Sequence, residues 1–113
     1  MSFAILWLPD SAAQYAKIRD DALAGQLPEG KGKSNKAQGL FKQVHKCIQQ
    51  LSDSPRHPGL QTHEYHGMPH LFDENQKVFE AYAQNRTPGA YRVFWCYGPG
   101  RNQITIIAIT PHP

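Results

Sequence analysis

Cysteine is scarce in this chain: Cys47 and Cys96 are the only two in 113 residues, and their spacing suggests neither a zinc pair nor a disulfide framework. One falls in a predicted helix and the other in a predicted strand, so both read as small buried apolar side chains. No apolar run approaches the ~20 residues that span a bilayer. The opening MSFAILWLPD has neither a basic leader nor a signal-length apolar core, and a soluble cytoplasmic protein with no membrane partner is the expectation. Internal repeats and low-complexity tracts are also lacking. Charge of either sign is thin: the formal net charge is +3 and the pI about 9.0, which leans basic without histone-like density and favours a partner with an acidic surface. The length suits one domain, residues 1–113, with a single modest core and no staples.

What is there reads as alternating punctuation and pattern. Residues 3–8 are a short apolar run closed by Pro9, which suits a buried strand. Pro9, Asp10 and Ser11 open a helix in which Tyr15, Ile18 and Ala22 recur at helical spacing as far as Gly25. Residues 28–34 are a loop by composition. Ser34 or Asn35 caps a second helix, whose apolar stripe is Ala37, Leu40, Phe41, Val44, Ile48 and Leu51. Lys36, Lys42, Lys46 and Gln50 lie opposite, a face that is either solvated or a contact for phosphate or protein. Residues 52–76, broken by Pro55, Pro58, Gly59, Gly67 and Pro69, are mostly loop, and loops of that length usually serve a function or move. Residues 77–83 alternate as a third strand, and residues 85–89 link it to the next. The order is strand, helix, helix, then three strands: an α+β layout of an antiparallel sheet with two helices packed on one face.

The last stretch, AYRVFWCYGPGRNQITIIAITPHP, carries a strong hairpin signal, with Gly98, Pro99, Gly100 and Arg101 between two runs rich in β-branched and aromatic residues. If Tyr97 faces Gln103, Arg92 faces Ile107 or Ala108. His112 then lies about four residues further on, about 14 Å at ~3.3 Å per residue. A fixed cation and an imidazole thus bracket a nucleotide-sized space at one end of the sheet.

The element order, PRHPGLQTH after the second helix, KVFEAY before the linker, AYRVFW in the next strand and the closing ITPHP together resemble the RelE/ParE superfamily of small bacterial toxins, over most of the chain. The resemblance implies a microbial ribonuclease-like fold, a cognate antitoxin protein as partner, and either RelE-like cleavage of mRNA on the ribosome or ParE-like inhibition of DNA gyrase; some relatives have no demonstrated activity, so a catalytically inactive member that acts by protein binding is a third alternative. Cleavage by 2′-hydroxyl attack needs a base, a cation for the phosphate and an acid for the 5′-oxygen, with no metal or other cofactor. Arg92 is a fork-shaped cation suited to phosphate. His112 matches the position of a late catalytic residue in RelE-like nucleases, and an imidazole with an ordinary pKa of about 6.5 suits the acid. Glu80 corresponds to a position where some relatives carry a carboxylate, and is the candidate base or base-orienting group. Lys77, Tyr82 and Arg86 flank the same groove, Tyr82 as a stacking ring, while Arg56, His57 and His63 lead toward it as RNA contacts. KVFEAYAQ carries fewer lysines than the matching strand of well-studied RelE-like enzymes, which lends the gyrase reading some weight.

A plainer reading stands beside each of these. Arg92 and Glu80 sit on adjacent strands in compatible register and can instead form a structural ion pair. His112 can be a terminal residue with no task. His63 and His66 have ligand spacing, yet with His57 and His70 they lie in a predicted loop without cysteine, so no metal is expected. Tyr91, Trp95 and Tyr97 share one strand face and Arg92, Phe94 and Cys96 the other, so one aromatic set packs under the helices.

Overall fold

The computed structural model describes residues 2–24, 35–84 and 89–111. Strand β1 (Ala4–Trp7) leads into α1 (Pro9–Ala24), and α2 (Asn35–Asp53) is followed by a short 3₁₀ turn at Pro58–Leu60. Four strands complete the chain: β2 (His63–Tyr65), β3 (Val78–Tyr82), β4 (Tyr91–Tyr97) and β5 (Gln103–Pro111). They form one five-stranded sheet in the order β1-β5-β4-β3-β2.

Two features depart from the sequence expectation. The sheet is mixed, because β1 pairs parallel to β5, from Ala4 opposite Gln103 to Trp7 opposite Ile106. A four-residue strand carries the same alternation in either direction, so its sense was open until the helices returned the chain. The second departure is β2, which lies inside residues 52–76, expected to be mostly loop. It pairs antiparallel with β3 over three residues, too few for a two-residue period to register.

One face of the sheet holds the core. Val44, Cys47, Ile48 and Leu51 of α2 and Ile18 of α1 pack against Ala81, Val93, Trp95, Ile104, Ile106 and Ile109. The helix positions fall at i, i+3, i+4 and i+7, the spacing that turns one stripe inward. A bulge keeps the strands matched: Phe94 faces Ala108 but Trp95 faces Ile106, so Ile107 is the extra residue. Without it Ile109 would point away from the helices, since a one-residue slip inverts every side chain that follows. The bulge and a Tyr97–Ile104 pairing also place Arg92 opposite Thr110 rather than Ile107 or Ala108. The turn depends on Gly98, whose φ of 112° only glycine adopts freely; its N–H donates to Gln103 O at 2.9 Å and its carbonyl accepts from Thr105 Oγ1 at 2.9 Å.

Ser11 ties the helix layer to the sheet. It is fully buried, and its hydroxyl reaches Ile106 O at 2.7 Å and Leu8 O at 3.1 Å while accepting from the Leu8 N–H at 3.0 Å. Ser11→Ala leaves the Leu8 N–H without that acceptor, and the expected loss is about 1–3 kcal/mol in a denaturant titration. Cys47 and Cys96 are both buried free thiols. Burial pushes the Cys47 thiol up from 9.0 to about 12, and raises Cys96 as well. Above pH 9 the folded chain therefore holds a Cys47 proton that the unfolded chain releases, so stability present below that pH declines as the pH climbs toward 12. Denaturant midpoints across that range should fall more steeply for the parent chain than for Cys47→Ala, and neither thiol should react with a disulfide reagent until the chain unfolds.

Candidate functional site

On the sheet face turned away from the helices, strand register gathers four polar side chains. Tyr82 is opposite Arg92, Glu80 is opposite Phe94, and β2 sets His63 opposite Glu80. All four therefore project from the same face at the β3–β4 end.

Glu80 is the centre of this group. Its side chain is only 4% exposed, and a carboxylate this deep requires partners. His63 Nε2 lies 2.7 Å from Oε1, and Arg92 Nε lies 3.8 Å from Oε2, within ion-pair range but too long for a hydrogen bond. The guanidinium is closed in on its other sides as well. Its Nη1 donates to Gln84 O at 3.0 Å and to Ala90 O at 3.3 Å, and its Cζ sits 3.8 Å from the centroid of the Tyr82 ring. That ring contact is a cation–π arrangement, stronger for being shielded from water. The ion-pair reading of Arg92 thus describes its contacts, and the fork is turned to carbonyls within the protein rather than out to solvent. His63 is the exposed member: its side chain is 48% accessible, and its Nδ1 lies 3.2 Å from Gln61 O.

The remaining sequence candidates are spread more widely. Lys77 stands before β3, at the far end of that strand from Tyr82, 3.5 Å from Glu64 Oε1. Arg56 and His57 lie on the segment after α2 and line a cavity with Phe79, Trp95 and Tyr97, which pack on the helix side of the sheet. His57 also accepts from the Gly59 N–H at 2.9 Å and so caps the 3₁₀ turn. Arg86 and His112 lie outside the described residues. The described part of β5 ends at Pro111, paired with Tyr91.

Other histidines have local partners. His66 Nδ1 is 3.5 Å from Glu64, and His70 clamps a turn, its Nδ1 accepting from the Phe72 and Asp73 N–H groups at 3.0 Å while Nε2 meets Tyr97 O at 3.0 Å. Among the described residues no group of three or more His, Cys, Asp or Glu could hold a metal ion. Likewise no helix among them is long and apolar enough to cross a membrane.

Sequence reasoning named His63 and Glu80 separately and missed that they touch, because the contact depends on β2. It also missed the carbonyls that hold Arg92. A cavity of about 330 Å³ lies beside this cluster, lined by Gln43, Lys46, Gln50 and His57 together with Tyr82 and Ala83. Lys46 and Gln50 belong to the polar helix face that the sequence left as either solvated or a contact surface.

No family model matches the chain, and no curated protein matches it at a significant level. Two solved structures do. The YoeB/ParE toxin from Agrobacterium tumefaciens superposes with a TM-score of 0.59 at 9% identity, over 97% of this chain and 99% of that one. The YoeB dimer from Staphylococcus aureus gives a TM-score of 0.58 at 10% identity, over the whole of both chains. Identities this low speak for the path of the backbone and not for shared side chains. By the order of its elements and by end-to-end superposition, this chain has the α+β fold of the RelE/ParE-like toxins.

Proposed function

We propose that the protein is the toxin of a type II toxin–antitoxin pair, a metal-independent endoribonuclease that cleaves mRNA on the ribosome in the cytoplasm. The observation that carries this reading is the buried Glu80 carboxylate 2.7 Å from a half-exposed imidazole, with a shielded arginine at its other oxygen. A carboxylate that orients an accessible imidazole is the arrangement of a positioned general base.

In this reading Glu80 orients, His63 and His112 exchange protons and Arg92 steadies the developing charge. Glu80 holds His63 with Nε2–H toward it, and Nδ1, which lies 3.2 Å from Gln61 O, takes the 2′-hydroxyl proton once the ring turns from that carbonyl toward the substrate. The 2′-oxygen then attacks phosphorus, the bond to the 5′-oxygen breaks, and a 2′,3′-cyclic phosphate remains on the upstream fragment. His112 gives the departing 5′-oxygen its proton. Arg92 favours the negative charge that develops on the phosphate by its field from within the wall, since Nη1 is committed to carbonyls. Tyr82 offers a ring face for a base, and Lys77 and Arg86 supply positive charge for the RNA backbone. The polar cavity at Lys46 and Tyr82 extends this surface. A cognate antitoxin covers the same face with an acidic or amphipathic segment.

A second reading is ParE-like inhibition of DNA gyrase by protein contact. It draws on the enclosure of Arg92, whose side chain is 10% exposed and whose guanidinium is turned to partners within the protein.

Primer extension on mRNA from cells expressing the protein separates the two. Discrete cleavages are expected for the parent chain, weakened on the order of 10²- to 10⁴-fold by His112→Ala and by His63→Ala, the range for loss of a general acid or base. Absence of cleavage by the parent chain removes the nuclease reading, and cleavage untouched by both changes removes only the assigned roles. A gyrase supercoiling assay tests the second reading directly. Toxicity in either case should be relieved by co-expressing a short acidic protein encoded beside this gene.

A further inference from the structure

The cavity of about 330 Å³ beside the Glu80 cluster lies between α2, the 3₁₀ turn and the end of β3. β2 pairs with β3 only as far as Glu80, so past that point the cavity reaches Tyr82 around the uncovered strand edge. Gln43, Lys46 and Gln50 line it from α2. They fall at i, i+3 and i+7, which is one row of a helix.

Hydrogen bonds made elsewhere decide what this row and the turn present. The Tyr91 N–H can only donate, and Gln84 Oε1 accepts it at 3.2 Å. That turns Gln84 Nε2 to Gln43, whose Oε1 accepts at 2.8 Å. With its oxygen taken, Gln43 is left with N–H groups as its free end. At the turn, His57 Nδ1 accepts from the Gly59 N–H at 2.9 Å, so the neutral ring carries its proton on Nε2. The Gln50 amide nitrogen reaches the same turn, 4.0 Å from the point where a Gly59 side chain would begin. Such a side chain would also crowd the His57 ring at 3.0 Å, so glycine keeps this wall clear. Lys46 and Tyr82 add an ammonium and a phenol, and no aspartate or glutamate is among the described residues that line the cavity.

Donors gathered around a concave floor without a carboxylate suit an anion, and phosphate oxygens accept from all of them. A lone lysine on a helix is served by water; here one stands in a row with two amides and faces an imidazole N–H. Tyr82 joins the cavity to the Glu80 cluster, its ring 3.8 Å from Arg92 Cζ and 5.5 Å from the His63 ring. A strand with a base at Tyr82 therefore has backbone on the cavity side as well as at His63.

We propose that this cavity holds a phosphodiester of the RNA strand next to the one at His63, with Lys46 supplying charge and Gln43, Gln50 and His57 the donors that shape the seat. The site presupposes the RNA-binding reading of this face but not cleavage.

Anisotropy of a labelled single-stranded 2′-O-methyl RNA, which has no 2′-hydroxyl to attack, tests the site apart from cleavage. Saturable binding is expected at low salt. Lys46→Gln should weaken it by about tenfold and flatten the slope of log K against log salt by about 0.7, the share of one single-strand phosphate. Lys42→Gln removes the same charge one turn earlier on α2 and should have much the smaller effect. Gln43→Met and Gln50→Met, which keep charge and length, should weaken binding several-fold at an unchanged slope. The proposal is overturned if no saturable binding occurs, if Lys42→Gln matches Lys46→Gln, or if neither methionine variant has an effect, the last two being the marks of diffuse charge. Oligoglutamate and inorganic phosphate should both displace the RNA poorly. Displacement by oligoglutamate as good as by unlabelled RNA would make the cavity a seat for an acidic protein segment, and displacement by inorganic phosphate at the RNA's own concentration would make it a free-anion site; either result overturns the assignment. RNA binding with the expected variant pattern but no cleavage in cells supports the site and removes only the nuclease reading.

Discussion

The structure hangs on a central strand that water reaches on neither face. From Arg92 to Cys96 every residue of β4 is buried, at 9, 0, 3, 1 and 0% exposure in turn. Alternation sends Val93 and Trp95 to the helices, which supply apolar stripes in return. Arg92, Phe94 and Cys96 go the other way, where there is no helix layer. Their cover comes from residues 63–72: Tyr65 lies 4.7 Å from Phe94, and the Leu71 backbone reaches the Cys96 thiol. An arginine placed on such a strand needs counter-charge and acceptors at once, because a buried cation without them is far more expensive than the pairing gains. Glu80, the Gln84 and Ala90 carbonyls and the Tyr82 ring meet that need together. The polar cluster is therefore a consequence of burying β4 on both faces, and its chemistry is set within that constraint.

How much of this could be read from the residues alone depended on the range over which each feature is decided. β4 and the helix stripe were legible because local punctuation and period fix them: Gly98 ends one, and Val44, Ile48 and Leu51 mark the other. The partition of Tyr91, Trp95 and Tyr97 from Arg92, Phe94 and Cys96 follows from alternation and held. The hairpin register did not, because a one-residue shift at the turn and the extra Ile107 are invisible to pattern. Both corrections move Arg92 toward the end of β5. β2 escaped because three residues carry no period, and with it went the His63–Glu80 contact, which needs a pairing partner seventeen positions away. The capture of Arg92 Nη1 was beyond reach for another reason: it is made by backbone carbonyls, whose placement no side-chain pattern encodes.

The bulge also carries weight beyond register. It lets β5 keep Ile104 and Ile106 under the helices and then Ile109, while Thr110 arrives on the same face as Arg92. A regular ladder could satisfy the core or the polar face at that end, but not both. One inserted residue resolves the conflict, which is the usual work of a bulge next to a site. The same logic explains why a fold shared with the two toxin structures survives at 9 and 10% identity: layers, order and register are held by which side of the sheet each position faces, not by which side chain stands there.

The carboxylate cluster and the aromatic cavity stand back to back. Thr62 and His63 are neighbours in sequence, as are Phe79 and Glu80, and in each pair one belongs to the aromatic cavity and the other to the carboxylate cluster. Extended backbone turns consecutive side chains to opposite faces, so β2 and β3 present the cluster on one side of their ladder and the cavity wall on the other. The strands that hold His63 against Glu80 at 2.7 Å therefore also hold the cavity wall in place. Only three residue pairs join β2 to the sheet. Anything that packs against Thr62 or Phe79 on one side braces that short ladder, and with it the distance between imidazole and carboxylate on the other. Placement of the exposed His63 ring is thus decided as much by the packing around the aromatic cavity behind it as by the face on which it lies.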